Sequence, residues 1–156
     1  MAKSSNETYS VLLADDSEND RFLLRRALHN HPKLKIVGEV WDGTEVIAYL
    51  SGKRGFANRK IYPFPDLLIL DLKMPFKTGF EVLRWLQTQA YKKLLVVVLS
   101  CSSLPEDYDQ SLALGAHAYY VKVPTSEAQE KMIGSIETLL DISHSRGPKR
   151  IRQRLA

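Results

Sequence analysis

Five side chains in this sequence could do chemistry together: Asp15, Asp16, Asp71, Ser100 and Lys122. Each stands at the end of an apolar run. Asp15 and Asp16 follow Val11–Ala14, Asp71 follows Leu67–Leu70, Ser100 follows Leu94–Leu99, and Lys122 follows His117–Val121. Ligands of an open parallel sheet bind beyond the carboxyl ends of its strands, so these groups would converge on one edge. Three close carboxylates repel one another and call for a cation. A hard divalent ion such as Mg²⁺ takes oxygen ligands, keeps waters and typically joins a phosphate. Lys122 adds a second positive charge, so a phosphoryl group between metal and ammonium would be neutralised from both sides. A carboxylate can itself be the nucleophile and form an acyl phosphate. Singly, each residue has a plainer reading. Asp15-Asp16 would suit a helix N-terminus, Lys122 would be a solvated lysine, and Ser100 a hydroxyl bonded to backbone.

The elements that must position these groups are legible in the hydropathy pattern. The runs at 11–14, 67–70 and 94–99 do not alternate with polar residues, as expected of strands covered on both faces. Leu34–Val40 and His117–Val121 are weaker strands. Helical spacing fills the intervals. The first helix starts at Ser17 with Asp20 three residues on, carries Phe22, Leu23, Ala27 and Leu28, and ends before Pro32. The second follows Asp42-Gly43 with Val46, Ile47 and Leu50. The third follows Gly79 with Phe80, Leu83, Trp85 and Leu86. The fourth runs from Pro105 to Gly115. The fifth has Ser126 and Gln129 as a capping box and Met132, Ile133, Ile136, Leu139 and Leu140 as its buried stripe. Five strand-then-helix repeats predict an α/β fold with a parallel sheet between two helical layers. Alternation places Tyr119 and Tyr120 on opposite faces, one on the core and one outward.

Charge is unevenly distributed. The 156 residues carry 22 Lys and Arg against 18 Asp and Glu. Residues 144–156 hold five of the bases and residues 51–65 four more, with no acid in either stretch. Removing those nine leaves 13 bases against 18 acids, an acidic body of net −5 with two basic attachments. The 51–65 connection is longer than usual and reads as an ordered or partly mobile insertion. It should emerge at the edge opposite the candidate site, where its bases suit docking rather than phosphoryl binding. One cysteine, Cys101, excludes an intramolecular disulfide framework and fits a reducing cytoplasm. It is expected to be a buried apolar filler. The start MAKSSNETYS lacks the apolar run of a signal peptide, and Leu94–Leu99 is too short to span a bilayer, so no membrane association is expected. Gly38, Gly43 and Thr44 half-mimic a phosphate loop but lack its lysine. The four histidines show no metal-ligand spacing and read as structural or exposed.

The motifs Val11-Leu12-Leu13-Ala14-Asp15-Asp16-Ser17, Leu70-Asp71-Leu72-Lys73-Met74-Pro75-Phe76-Lys77-Thr78-Gly79, Val98-Leu99-Ser100 and Gly115-Ala116-His117-Ala118-Tyr119-Tyr120-Val121-Lys122 resemble, in order and spacing, the receiver domain of two-component response regulators. The resemblance covers roughly 8–142. It implies a CheY-like, flavodoxin-like doubly wound (βα)5 fold with strand order 2-1-3-4-5. The implied layout is a flexible N-terminus at 1–7, a receiver domain at 8–143 with 51–65 as an extended basic loop, and a basic tail at 144–156. It further implies that Asp71 is the phosphoacceptor, that Asp15, Asp16, Asp71 and the backbone carbonyl of Lys73 bind Mg²⁺, and that Lys122 contacts the phosphoryl group. Ser100 would be the switch hydroxyl, and Tyr119, three before the lysine, the aromatic that turns inward behind it. One departure stands out: proline follows Lys122 by two positions, as Lys122-Val123-Pro124, so a cis bond after the lysine is not expected.

The function expected is a stand-alone response regulator whose output is protein contact, since nothing after residue 142 could fold into an effector. It would catalyse only its own phosphorylation and dephosphorylation. Its partners would be a histidine kinase or histidine phosphotransfer protein and a downstream protein target. Long connections like 51–65 occur in the subgroup paired with phytochrome-type photosensors, and homodimerisation through the last two helices and last strand is compatible with the family. Lys73 and Ser102, two beyond Asp71 and Ser100, are not strong activators of water, which predicts a long-lived phosphorylated state. Two other classes compete. An aspartate-nucleophile phosphatase wants an acid where Lys73 stands and a cap domain larger than 51–65. A nucleic-acid-binding module would use the basic loop and tail through salt-sensitive phosphate contacts, and nucleic acid is not an expected partner of the acidic body.

Overall fold

The computed structural model describes residues 7–123 and 125–146. The chain alternates β1 (Tyr9–Ala14), α1 (Glu18–Leu28), β2 (Leu34–Val40), α2 (Gly43–Ser51), β3 (Leu67–Leu70), α3 (Gly79–Gln87), β4 (Leu95–Ser100), α4 (Pro105–Ala113), β5 (Ala118–Val121) and α5 (Ser126–Arg146). All strand pairs are parallel and the sheet order is β2-β1-β3-β4-β5. The continuous apolar runs are explained by two cores. Leu13, Ile69 and Val97 face α1 and α5, where Leu24, Leu28, Ile133 and Ile136 meet them. Their neighbours Leu12, Leu68 and Val98 face Val46 of α2 and Val82 and Leu83 of α3. Successive side chains of a strand point to opposite faces, so a strand covered on both sides is apolar at every position.

The helix starts follow from local chemistry. Ser17 Oγ accepts from the Asp20 backbone N–H, and the Asp42 carboxylate accepts from the Glu45 N–H. Thr78 and Glu81 form a reciprocal capping box on α3. The fifth helix differs from expectation: Thr125 Oγ1, not Ser126, accepts from the Ala128 N–H, because Ser126 is already helical. On α1, Leu24 is buried and Phe22 is exposed, since the helix turns its stripe by one position to face α5. Tyr120 is not outward. It packs, half-buried, on the α1/α5 core while Tyr119 packs on the other, because both faces of the sheet are covered. Cys101 is exposed rather than buried, lying one residue beyond β4. Helix α5 runs to Arg146, so residues 144–146 are helical rather than tail. The basic stretch beyond 146 and residues 1–6 lie outside the described residues.

The 51–65 connection is ordered by contacts its composition conceals. Gly52 takes a left-handed φ of 69° to end α2. Arg59 then reaches back, donating from Nη1 to Tyr49 O at 2.8 Å and from Nη2 to Leu50 O at 2.9 Å, two carbonyls of the last helical turn. Phe56 and Tyr62 close on Tyr49 with ring centroids at 5.1 and 6.0 Å. Arg59→Ala should therefore cost about 1–2 kcal/mol in urea unfolding, with the chemistry at the far edge of the sheet unchanged.

Candidate functional site

Short backbone bonds align the strand ends. Asp15 N–H donates to Val40 O, Asp71 N–H to Ala14 O, and Lys122 N–H to Ser100 O, all within 3.0 Å. They bring the predicted groups to one edge. Asp15, Asp16 and Asp71 each offer a carboxylate oxygen, and these lie within 4.8 Å of one another. Asp15 and Asp71 are buried and Asp16 is exposed. Lys122 Nζ is 2.7 Å from Asp15 Oδ2, 2.8 Å from Asp20 Oδ2 and 3.7 Å from Asp71 Oδ2.

The electrostatics follow. Burial is the largest influence on Asp71 and raises its pKa. Lys122 pulls it down, Asp15 and Asp16 push it up, and a backbone hydrogen bond from Lys73 lowers it, leaving it at about 7. Burial disfavours the Lys122 ammonium, but hydrogen bonds to Asp15 and Asp20 prevail and hold its pKa above the ordinary lysine value. One ammonium thus faces three carboxylates, with Asp16 a fourth in the same cluster. The surplus negative charge and the all-oxygen donor set fit a divalent cation.

Asp20 is the member that sequence reasoning missed. Its position three beyond Ser17 marked it as a capping residue, and its backbone N–H does serve that cap, while its carboxylate binds Lys122. A pairing across 102 residues has no local signal.

Ser100 and Tyr119 meet through Ser102. Ser102 N–H donates to Ser100 Oγ at 3.1 Å, and Tyr119 Oη donates to Ser102 O at 2.7 Å. Tyr119 points inward, 2% exposed, with Tyr108 edge-on at 5.5 Å. Ser102 Oγ in turn donates to Asp107 Oδ2 in the first turn of α4 at 2.5 Å. Phe76, in the turn after β3, has φ 64° and is 87% exposed, a backbone conformation costly for a non-glycine residue beside the site. The Lys122–Val123 bond is trans, and no described peptide bond is cis.

The family model for the response regulator receiver domain matches residues 11–133. The chain belongs to this family. Response regulator Rcp1 of Synechocystis sp. is 31% identical over 139 residues, 88% of this chain and 92% of that protein. The phosphorylated cyanobacterial phytochrome response regulator RcpA superposes with a TM-score of 0.76 at 30% identity, over 90% of this chain and 99% of that one. The Mn²⁺-bound form of Rcp1 superposes with a TM-score of 0.72 at 30% identity, over 83% of this chain and 92% of that one. Protein-glutamate methylesterase/protein-glutamine glutaminase 3 of Geobacter sulfurreducens is 33% identical over 83% of this chain. The chain spans about a third of such methylesterase relatives, 31% and 34% of the first two.

In this receiver, Gly79 sets how closely α3 approaches the end of β3. A Cβ there would lie 2.4 Å from Asp71 O and 2.7 Å from Leu72 Cα, so backbone must move. Gly79→Ala should weaken divalent-cation binding about tenfold or more by displacing Asp71, measured by titration calorimetry with Mg²⁺.

Proposed function

We propose that this receiver accepts a phosphoryl group on Asp71 from the phosphohistidine of a partner kinase or phosphotransfer protein and signals by protein contact. The observation that carries the reading is the cluster itself: three carboxylates within 4.8 Å, closed by an ammonium 3.7 Å from Asp71. A carboxylate oxygen of Asp71 forms the new P–O bond as the P–N bond to the donor imidazole breaks, and the imidazole keeps the electron pair. Asp15, Asp16, Asp71 and the Lys73 carbonyl would hold Mg²⁺, which supplies charge neutralisation to the phosphoryl oxygens when bound. Lys122 faces the same oxygens from the other side. Ser100 Oγ, which accepts from Ser102 N–H, keeps its own proton to donate to a phosphoryl oxygen. Tyr119 holds the same loop through Ser102 O, so occupancy of Asp71 biases a two-state element reaching α4.

The likeness to RcpA and Rcp1 supports a kinase coupled to a phytochrome-type sensor. The likeness to methylesterases brings no esterase activity, because the match covers a third of those enzymes. Cytoplasmic placement accords with the signalling role, and no helix among the described residues is long and apolar enough to cross a membrane.

The test is incubation with Mg²⁺ and acetyl phosphate, then borohydride reduction and peptide mapping. Reduction should convert Asp71 alone; a label on any other residue would overturn the assignment. The phosphorylated state should also be long-lived, since the Ser102 hydroxyl is engaged by Asp107 and cannot serve as a base for water. Loss of a radiolabelled phosphoryl group should be slow beside that of the quickest receivers.

A further inference from the structure

At the opposite end of the sheet, the 51–65 connection and the α3–β4 turn form one surface. Tyr91 joins them: its hydroxyl donates to Leu50 O at 3.3 Å and its ring lies 4.9 Å from Phe64. Trp85 backs it at 5.9 Å. The turn carries Lys92 and Lys93 and the connection carries Lys53, Arg54 and Lys60, all five exposed. None of the five makes an ion pair among the described residues, and neither 51–65 nor 88–94 contains an acid. A turn closed by Ile61 and Tyr62 N–H groups on Asn58 O projects Ile61, 62% exposed, from among these bases. An apolar centre inside a charged rim is the composition of a protein interface. The aromatic bracing means that little ordering entropy is lost on docking.

We propose that this surface docks a short acidic segment of a partner protein, with an apolar side chain of that segment covering Ile61. An exposed apolar side chain among the bases suits a peptide segment, which can supply both acids and an apolar partner. The acids at the same end, Asp66, Glu137 and Asp141 on the α5 side, are engaged by His144, His31 and Lys33 and do not reach these five bases as ion-pair partners. One exposed apolar side chain is too little to anchor in lipid. The aromatic rings of the patch face one another, not solvent, and offer no platform for stacked bases.

The experiment uses the full chain, with its C-terminal basic residues intact in every variant. The probe is a labelled peptide in which Asp and Glu flank a single Leu. Duplex DNA and phosphatidylserine/phosphatidylcholine vesicles serve as the competing classes. The peptide should bind, and the combined change Lys53→Glu, Arg54→Glu, Lys60→Glu, Lys92→Glu and Lys93→Glu should weaken it about tenfold or more. Ile61→Ser alone should weaken it severalfold and remove the peptide-induced NMR shift at position 61. Retained acetyl-phosphate labelling of Asp71 shows that the variants fold. No peptide binding, binding unaffected by the five reversals, or tighter binding of DNA or vesicles through the same residues at physiological salt would each overturn the proposal.

Discussion

Asp71→Asn is expected to abolish phosphoryl acceptance and, in the absence of divalent cations, to stabilise the protein. The first follows because the substitution removes the proposed nucleophile. The second follows from the sign of the pKa shift. Asp71 is pushed up to about 7 from 3.8, so the folded state binds a proton that the unfolded chain has released between those values. Stability therefore falls as pH rises from about 4 to 7 and stays lowered above it. Three units set a ceiling of about 4 kcal/mol. We expect about 1–3 kcal/mol of gain for the amide at pH 8, because part of the strain arises from charges that can relax. Thermal unfolding in chelator across pH 5–8 measures it: the native slope should flatten in the variant. A Mg²⁺ ion held by Asp71 would compete with the proton for the same oxygen, so its stabilising effect should grow with pH in the native chain and be smaller in Asp71→Asn. A variant that is less stable than the native chain at pH 8 in chelator would contradict the electrostatic account.

Lys122→Met should be the most destabilising single change at the site, about 2–4 kcal/mol at pH 8. Removing one partner of a buried pair leaves an uncompensated charge, here Asp15 at 3% exposure beside Asp71. Lys122 titrates above the ordinary lysine value, so it stays charged throughout pH 5–9 and sets no pH dependence of its own. The pH dependence comes from Asp71. At pH 5 it is protonated and the repulsion is smaller, so the variant should lose less stability there than at pH 8. Mg²⁺ should bind the variant more tightly than the native chain and restore part of the loss, because the cation replaces the missing positive charge. Chemical denaturation with and without Mg²⁺ checks both. Equal losses at the two pH values would place the effect in packing rather than charge.

The phosphatase alternative finds no support in the geometry. Lys73, where such enzymes want an acid, is exposed and contributes its backbone N–H to Asp71. The 51–65 connection is a loop tied to α2, not a cap over the site.

Asp15, Asp16, Asp71, Ser100 and Lys122 could be placed from the sequence because each directly ends a strand, and a strand covered on both faces is written as an unbroken apolar run. The helix starts at Ser17 and after Asp42 are likewise local: they involve residues within about four positions of one another. Sheet order came through family resemblance, since no local pattern states which strands are neighbours.

What the tertiary structure alone decided is long-range. Asp20 joins Lys122, Tyr120 finds a second core, and Phe22 yields its buried place to Leu24, because each outcome depends on how one helix sits on the sheet. Arg59 shows the same limit. Its charge read as a docking base, yet its guanidinium closes α2, while Lys53, Lys60 and Lys92 make no ion pair among the described residues. Side-chain identity fixes what a residue can bond, and only the packing of distant elements fixes what comes within reach.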